Sequence, residues 1–401
     1  MQIANYCWYN RFINLTPAKG SMMTRFLRTK FVEYSSAHEY GEMSLATSSR
    51  IDDAEAAAKS FAHMARGNRP DGNEIYGRLH NDTVAEFEDA LSGVEGTDQA
   101  VAFGSGMAAL TALLLAAAQS GEHVVALRPL YGGSDHLLCD GLTGLDVRWT
   151  DADGVADAVD DDTALVLAET PANPTLDLVD IEALVDSAGD TPVVIDSTFA
   201  TPALQNPAQL GATLVLHSAT KYIGGHGDVI GGIIATTDDW ARRLRQVRIA
   251  TGGLLHPMAA YLLRRGLATL PVRMEAAQET AHQLATRLVE HDAVDDVFYP
   301  GLNGCDPHNI VDHQMKGPGA MLALTVDSFS RAQAVMENVE VITPAVSLGT
   351  TDSLIQHPAS LTHQLVDEEA RQEAGVSDRL LRISVGLEHV EDLWADLDAA
   401  L

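Results

Sequence analysis

From Gln99 onward the chain alternates short runs rich in Val and Leu with stretches of helical character, and this alternation narrows the choice of fold more than any other feature. Residues 99–103 read as a strand and 106–119 as an Ala/Leu helix. Further short apolar runs follow at 123–129, 146–150, 164–170, 193–198 and 214–219, most of them bounded by Gly, Pro, Asp or Thr. Strands that alternate with helices imply an α/β fold: a mostly parallel sheet with helices wound over both faces. After Gly253 the texture changes. Residues 256–291 carry almost no strand signal and predict one or two long helices broken at Pro271. Beyond them, 321–326 and 380–385 read as strands and 390–401 as an amphipathic closing helix. A chain of 401 residues can bury two cores. This reading divides it into an N-terminal extension and arm (1–66), an α/β domain (67–255) and a smaller C-terminal α+β domain (256–401).

Charge limits the partners. The formal net charge is −30, from 56 acids against 26 bases, and only five of those bases are lysines. Such a field repels nucleic acid and anionic lipid, so neither is expected as a partner. An acidic, lysine-poor surface also fits a halophilic protein, because salt screens its self-repulsion. Residues 1–32 break the pattern: they hold Arg11, Lys19, Arg25, Arg28 and Lys30 and no acid. They contain no continuous apolar stretch, so a secretory signal is not expected. The longest apolar run, near 107–118, is too short to cross a bilayer. Cys7, Cys139 and Cys305 are scattered and odd in number, which argues against a disulfide scaffold or a zinc site and for a reducing, cytoplasmic setting. No metal site is expected.

The chemistry gathers where strands stop. In a wound α/β sheet, ligands sit outside the carboxyl ends of the strands. Val193-Val-Ile-Asp196 ends a buried run with a carboxylate, and Leu214-Val-Leu-His-Ser218-Ala-Thr220-Lys221 ends the next with a lysine. A desolvated lysine can form a Schiff base with a carbonyl, and a carboxylate can hold a pyridinium nitrogen protonated. Gly104-Ser-Gly106-Met107 precedes a helix, whose N-terminal N–H groups suit a dianionic phosphate. The P-loop pattern GxxxxGK[ST] is absent, which disfavours a nucleotide triphosphatase.

These residues reach a family. Ser218-Ala-Thr-Lys221-Tyr-Ile-Gly-Gly-His-Gly-Asp228 resembles the attachment motif of the trans-sulfuration (Cys/Met metabolism) enzymes, which depend on pyridoxal 5′-phosphate (PLP). The likeness continues through Phe103-Gly-Ser-Gly-Met107, Tyr131-Gly-Gly, Glu169-Thr-Pro-Ala-Asn-Pro-Thr175 and Asp196-Ser-Thr-Phe-Ala-Thr-Pro202. It extends through Arg264-Arg-Gly-Leu-Ala-Thr-Leu270, the stretch from Ser347-Leu-Gly to Thr362-His363, and Arg382-Ile-Ser-Val-Gly-Leu-Glu388. The resemblance implies the PLP-dependent transferase fold of type I and γ-elimination or γ-replacement on sulfur amino acids. It implies that Lys221 bonds the cofactor and shuttles protons, that Asp196 faces the pyridine nitrogen, and that Tyr131 stacks on the ring and acts near the leaving group. Gly106, Met107, Ser218 and Thr220 would hold the phosphate, Arg382 the substrate carboxylate, while Asn173 and Ser347 orient both. Tyr76-Gly-Arg78 matches the segment that family members extend into a neighbour's phosphate site, implying a homodimer or homotetramer with shared active sites.

Substrate choice stays open. Val346 and His357-Pro-Ala-Ser360 resemble methionine γ-lyases and acyl-homoserine sulfhydrylases, whereas Gly133 resembles cystathionine enzymes. Methionine or cystathionine γ-lyase leads. Cystathionine γ-synthase or O-acyl-homoserine sulfhydrylase is the alternative within the family, and a binding protein that has lost catalysis is the alternative outside it. The pattern also departs from the family at Asn81-Asp82-Thr83 and Asp196-Ser197-Thr198, and the segment before about Ala62 carries no recognisable motif.

Overall fold

The computed structural model describes residues 43–72 and 74–401. The basic stretch 1–32, read above as a separate segment, lies outside the described residues. Seven strands form the larger sheet: β1 (Gln99–Phe103), β2 (His123–Leu127), β3 (Asp146–Thr150), β4 (Thr163–Glu169), β5 (Val193–Asp196), β6 (Leu214–His217) and β7 (Gly232–Thr236), in the order β1-β7-β6-β5-β4-β2-β3. The pairs β2/β3, β2/β4, β4/β5 and β5/β6 are parallel, and β7 alone runs against both its neighbours, β1 and β6. The mostly parallel sheet is therefore present.

Both faces of this sheet are covered, which is why its inner strands are apolar along most of their length, whereas the edge strand β3 alternates polar and apolar residues. The helices Gly106–Ala117 and Asp238–Thr251 pack on one face, against Val124, Leu167, Val194, Leu216 and Ile234. On the other face lie the helix Ile181–Ala188, over Val125, Val166 and Ile195, and the helices Asp82–Glu95 and Pro257–Leu267, over Val215, Ile233 and Ala235. Each fully buried Leu or Ile in these layers contributes about 1.5–3 kcal/mol.

The second sheet holds β8 (Val294–Phe298), β9 (Met321–Val326), β10 (Thr343–Pro344), β11 (Leu354–Gln356) and β12 (Leu380–Ser384), in the order β10-β11-β12-β9-β8. The helices Leu270–Leu288, Phe329–Asn338 and Val390–Ala400 cover one face of it through Leu284, Leu288, Val335, Leu393 and Leu397. The long helical stretch does break, but at Ala268–Thr269. Pro271 stands in the first turn of the second helix, where its missing N–H has no intrahelical partner to lose. One apolar cluster joins the two sheets, with Leu263, Leu270, Met274 and Met321 packed among Val84, Phe87 and Val215. No helix among the described residues is long and apolar enough to cross a membrane.

Candidate active site

The carboxyl ends of β4, β5 and β6 and the start of the helix Gly106–Ala117 open onto a cavity of about 480 Å³. Lys221, Tyr131, Asp196, Gly106, Met107, Ser218, Thr220, Arg382, Ser347 and Asn173 all line it. The larger sheet delivers most of these residues to one edge because each strand stops where its apolar run stops, while Arg382 on β12 and Ser347 after β10 reach the cavity from the second sheet. Under the lysine loop, the end of β6 is held by a buried pair, His217 Nε2 to Glu95 Oε1 at 2.6 Å, with Glu95 closing the helix Asp82–Glu95.

Lys221 Nζ donates to Ser347 Oγ at 2.9 Å. Desolvation, and then the nearby positive charge of Arg382, bring its pKa down to about 8. Ser347 adopts φ 114°, a left-handed conformation that strains any residue with a side chain. It is held there from two sides, since its carbonyl also accepts from Arg382 Nη2 at 2.9 Å. Arg382 is almost fully buried on β12, and its Nη1 donates to Asn173 Oδ1 at 2.7 Å. Burial lowers its pKa to about 10, which leaves it cationic at neutral pH. His363 is pushed down to about 4, first by burial and then by Arg382, so its ring is neutral. It shares contacts with the carbonyl of Asn173 at 3.2 Å and Thr362 Oγ1 at 3.0 Å.

Asp196 accepts from both the N–H and the hydroxyl of Thr198, at 3.0 and 2.6 Å. Burial raises its pKa, while these two bonds and His217 lower it. Across the cavity, Ser105 caps the helix by accepting from Ala108 N–H at 3.0 Å, which leaves the N–H groups of Gly106 and Met107 without intrahelical partners. A Cβ on Gly106 would meet Ser218 Cβ at 3.1 Å, a tight contact that would press the lysine loop away from the helix end. Thr220 lines the cavity, but its hydroxyl is engaged with Gly231, donating to the carbonyl and accepting from the N–H.

This donor set fits PLP: backbone N–H groups for a phosphate, a buried carboxylate for a ring nitrogen, an amine of lowered pKa for an aldehyde, and a guanidinium beyond. Residues 32–401 match the family model of the Cys/Met metabolism PLP-dependent enzymes. The chain belongs to this family. An L-methionine gamma-lyase of Brevibacterium sandarakinum is 55% identical over 361 residues, 89% of this chain and 91% of that protein. A cystathionine gamma-lyase of Bacillus subtilis (strain 168) is 39% identical over 81% of this chain and 88% of that one. Among solved structures, cystathionine gamma synthase from Xanthomonas oryzae pv. oryzae superposes with a TM-score of 0.87 at 34% identity, covering 96% of this chain and 98% of that one.

The family member described here is thus a PLP-dependent lyase of sulfur amino-acid metabolism with the type I fold, and PLP is its cofactor. The family match begins at residue 32, ahead of the point near Ala62 where individual motifs become readable. Two sequence-predicted residues are not in the cavity. Arg78 Nη1 donates to the Ile249 carbonyl at 2.7 Å, and its guanidinium lies 5.5 Å from the centre of the Tyr76 ring, at the surface. Conversely, the sequence reading assigned no role to Glu169, Thr198, Phe199 or Thr362, all of which line the cavity. Glu169 stands in a quoted motif, whose spacing says nothing of which atoms it holds.

Proposed function

We propose that this enzyme is an L-methionine γ-lyase, converting methionine and water to 2-oxobutanoate, ammonia and methanethiol. The observation that carries the reading is the 55% identity to a named L-methionine gamma-lyase over nine-tenths of both chains. The mouth of the cavity supports it: Val346 and Leu361 offer apolar surface suited to a thioether.

Bound in the cavity, PLP supplies an electron sink for the substrate's α-carbon. Arg382, already pinned by Asn173 and Ser347, receives the substrate carboxylate through its planar fork. Lys221, with its amine partly neutral near pH 7, takes the proton from Cα and passes it along the same face. Tyr131, partly exposed at the cavity wall, protonates the departing sulfur. Asp196 keeps a proton on the pyridine nitrogen, and Gly106, Met107, Ser218 and Thr220 receive the phosphate. Tyr76 and Arg78 serve the phosphate of a neighbouring subunit in a homodimer or homotetramer, a role their surface position in this chain permits. The acidic surplus and the free Cys139 and Cys305 favour a halophilic, cytoplasmic enzyme.

A substrate panel without added thiol tests the reading. Release of 2-oxobutanoate and methanethiol from methionine supports it. Preference for cystathionine would favour a cystathionine γ-lyase, the reading that Gly133 supports. A requirement for an acylated homoserine plus a nucleophile would reveal a synthase or sulfhydrylase, and overturn a lyase altogether. Accumulation of pyridoxamine phosphate would indicate transamination, and a spectrum unmoved by any amino acid would indicate a binding protein.

A further inference from the structure

We infer that Glu169 is a positioning residue that couples the leaving-group side of the cavity to its carboxylate-binding side, an inference that rests on the roles proposed above for Tyr131 and Arg382. Glu169 is the last residue of β4 and is buried against the cavity floor. Its two oxygens are spent on two different loops. Oε2 accepts the Tyr131 N–H at 2.8 Å, and Oε1 accepts the Asn173 N–H at 3.0 Å. Tyr131 carries the ring that would serve the leaving group. Asn173 holds Arg382 through its Oδ1, Arg382 holds the Ser347 carbonyl, and Ser347 Oγ receives Lys221 Nζ. A continuous run of short polar contacts therefore joins Tyr131 to Lys221, and Glu169 is the link that ties its first two loops together.

A carboxylate is an expensive way to tie two loops together. Glu169 stands directly opposite Asp196 in the parallel β4/β5 register, so two acids face each other at adjacent buried strand ends. Burial, followed by repulsion from Asp196, pushes the Glu169 pKa well above the ordinary carboxylate range. Asp196 takes its own hydrogen bonds from Thr198 and needs nothing from Glu169. A neutral acceptor would satisfy two N–H groups without that repulsion. What the carboxyl group adds is symmetry: two equivalent oxygens, each 3.0 Å or closer to its donor, fix both loops relative to one strand end.

Glu169→Gln tests this, because the amide keeps one acceptor oxygen and presents an NH₂ to the other donor. Three quantities are read on enzyme loaded with PLP: affinity for L-norleucine by visible titration, kcat for methionine against kcat for O-acetylhomoserine, and melting temperature. L-Norleucine has the carboxylate and amine but no leaving sulfur, so its affinity reports the Asn173–Arg382 arm. Acetate departs with little need of a proton, so the ratio of the two kcat values reports the Tyr131 arm. The expected result is a loss of about tenfold in norleucine affinity, about 1.4 kcal/mol, or a comparable selective loss of kcat for methionine, with melting little changed. A lower melting temperature with both readouts intact would make Glu169 a purely structural tether and overturn the inference. If Glu169→Gln does not accumulate folded, Glu169→Asp, shorter by one methylene, is read in the same way. Tyr131→Phe and Arg382→Lys are measured alongside. If these leave turnover and norleucine affinity unchanged, the roles assigned to them fail; if they impair function while Glu169→Gln does not, only the coupling by Glu169 fails.

Discussion

At the scale of single residues, Lys221 shows how burial sets reactivity. Only a neutral amine attacks an aldehyde, and an ordinary lysine at pH 7 is neutral in roughly one molecule in two thousand or fewer. With its pKa brought to about 8, Lys221 is neutral in about one in ten. Capture of PLP by the cofactor-free enzyme should therefore speed up about tenfold per pH unit below about pH 8 and level off above it. Stopped-flow measurement of the visible band of the bound cofactor checks this, and a rate still climbing near pH 10 would contradict it. Because Arg382 is the second cause of the shift, Arg382→Gln should move the midpoint upward. Lys221→Ala should lose the band altogether and stay folded, and the scarcity of lysines makes that control clean.

At the scale of elements, close packing around the lysine loop decides more than propensity does. Gly266 lies inside the helix Pro257–Leu267, where alanine would ordinarily gain up to about 1 kcal/mol. Here a Cβ would sit 2.3 Å from the Ile223 carbonyl oxygen and 2.4 Å from that of Gly224, both backbone atoms just past Lys221. Gly266→Ala should cost about 1–3 kcal/mol and weaken PLP binding as the loop is displaced, measurable by melting with and without cofactor. An unchanged melting temperature would show that the helix can shift freely. The glycine was visible in the motif Arg264-Arg-Gly-Leu, while its reason is a contact across 40 residues of chain that no periodicity encodes. The same division runs through the fold. β1 and β9 match their predicted bounds because each is an apolar run cut off by polar or turn residues, and β3 matches its bounds as an edge strand in which Val147 and Trp149 alternate with polar residues. β7 escaped notice behind Gly231-Gly232, β8 carries Asp295-Asp296 on an exposed edge, and β10 and β11 are two and three residues long. In the site, strand-end residues such as Asp196 and Lys221 were legible, whereas the bonds of Glu169 and His363 depend on loops brought together only by folding.

At the scale of the whole molecule, charge and assembly make the remaining claims. A surplus of 30 acids opposes compaction in dilute buffer, and exposed ion pairs such as Arg287–Glu391 and Arg379–Asp295 lie where each is worth little. Between about 0.1 M and about 1 M salt the screening length falls from about 10 Å to about 3 Å, so melting temperature and activity should rise toward molar KCl. Full stability without salt would remove the halophilic reading. Assembly is tested through Arg78. Its guanidinium sits outside its own cavity, beside Tyr76, and an arginine that reached a neighbour's phosphate would add a charge-assisted contact to one already met by the N–H groups of Gly106 and Met107. Cofactor affinity would then depend on association, because each subunit completes the other's site. Arg78→Ala should lose PLP, and Lys221→Ala should be inactive for its own reason. When the two inactive proteins are mixed and allowed to exchange subunits, each hybrid pair contains one site with an intact Lys221 from one chain and an intact Arg78 from the other. That site should turn over methionine, giving up to about one quarter of wild-type activity if exchange is random and sites act independently. Exchange confirmed by mass spectrometry with no returning activity would confine Arg78 to its own chain and its contact with Ile249.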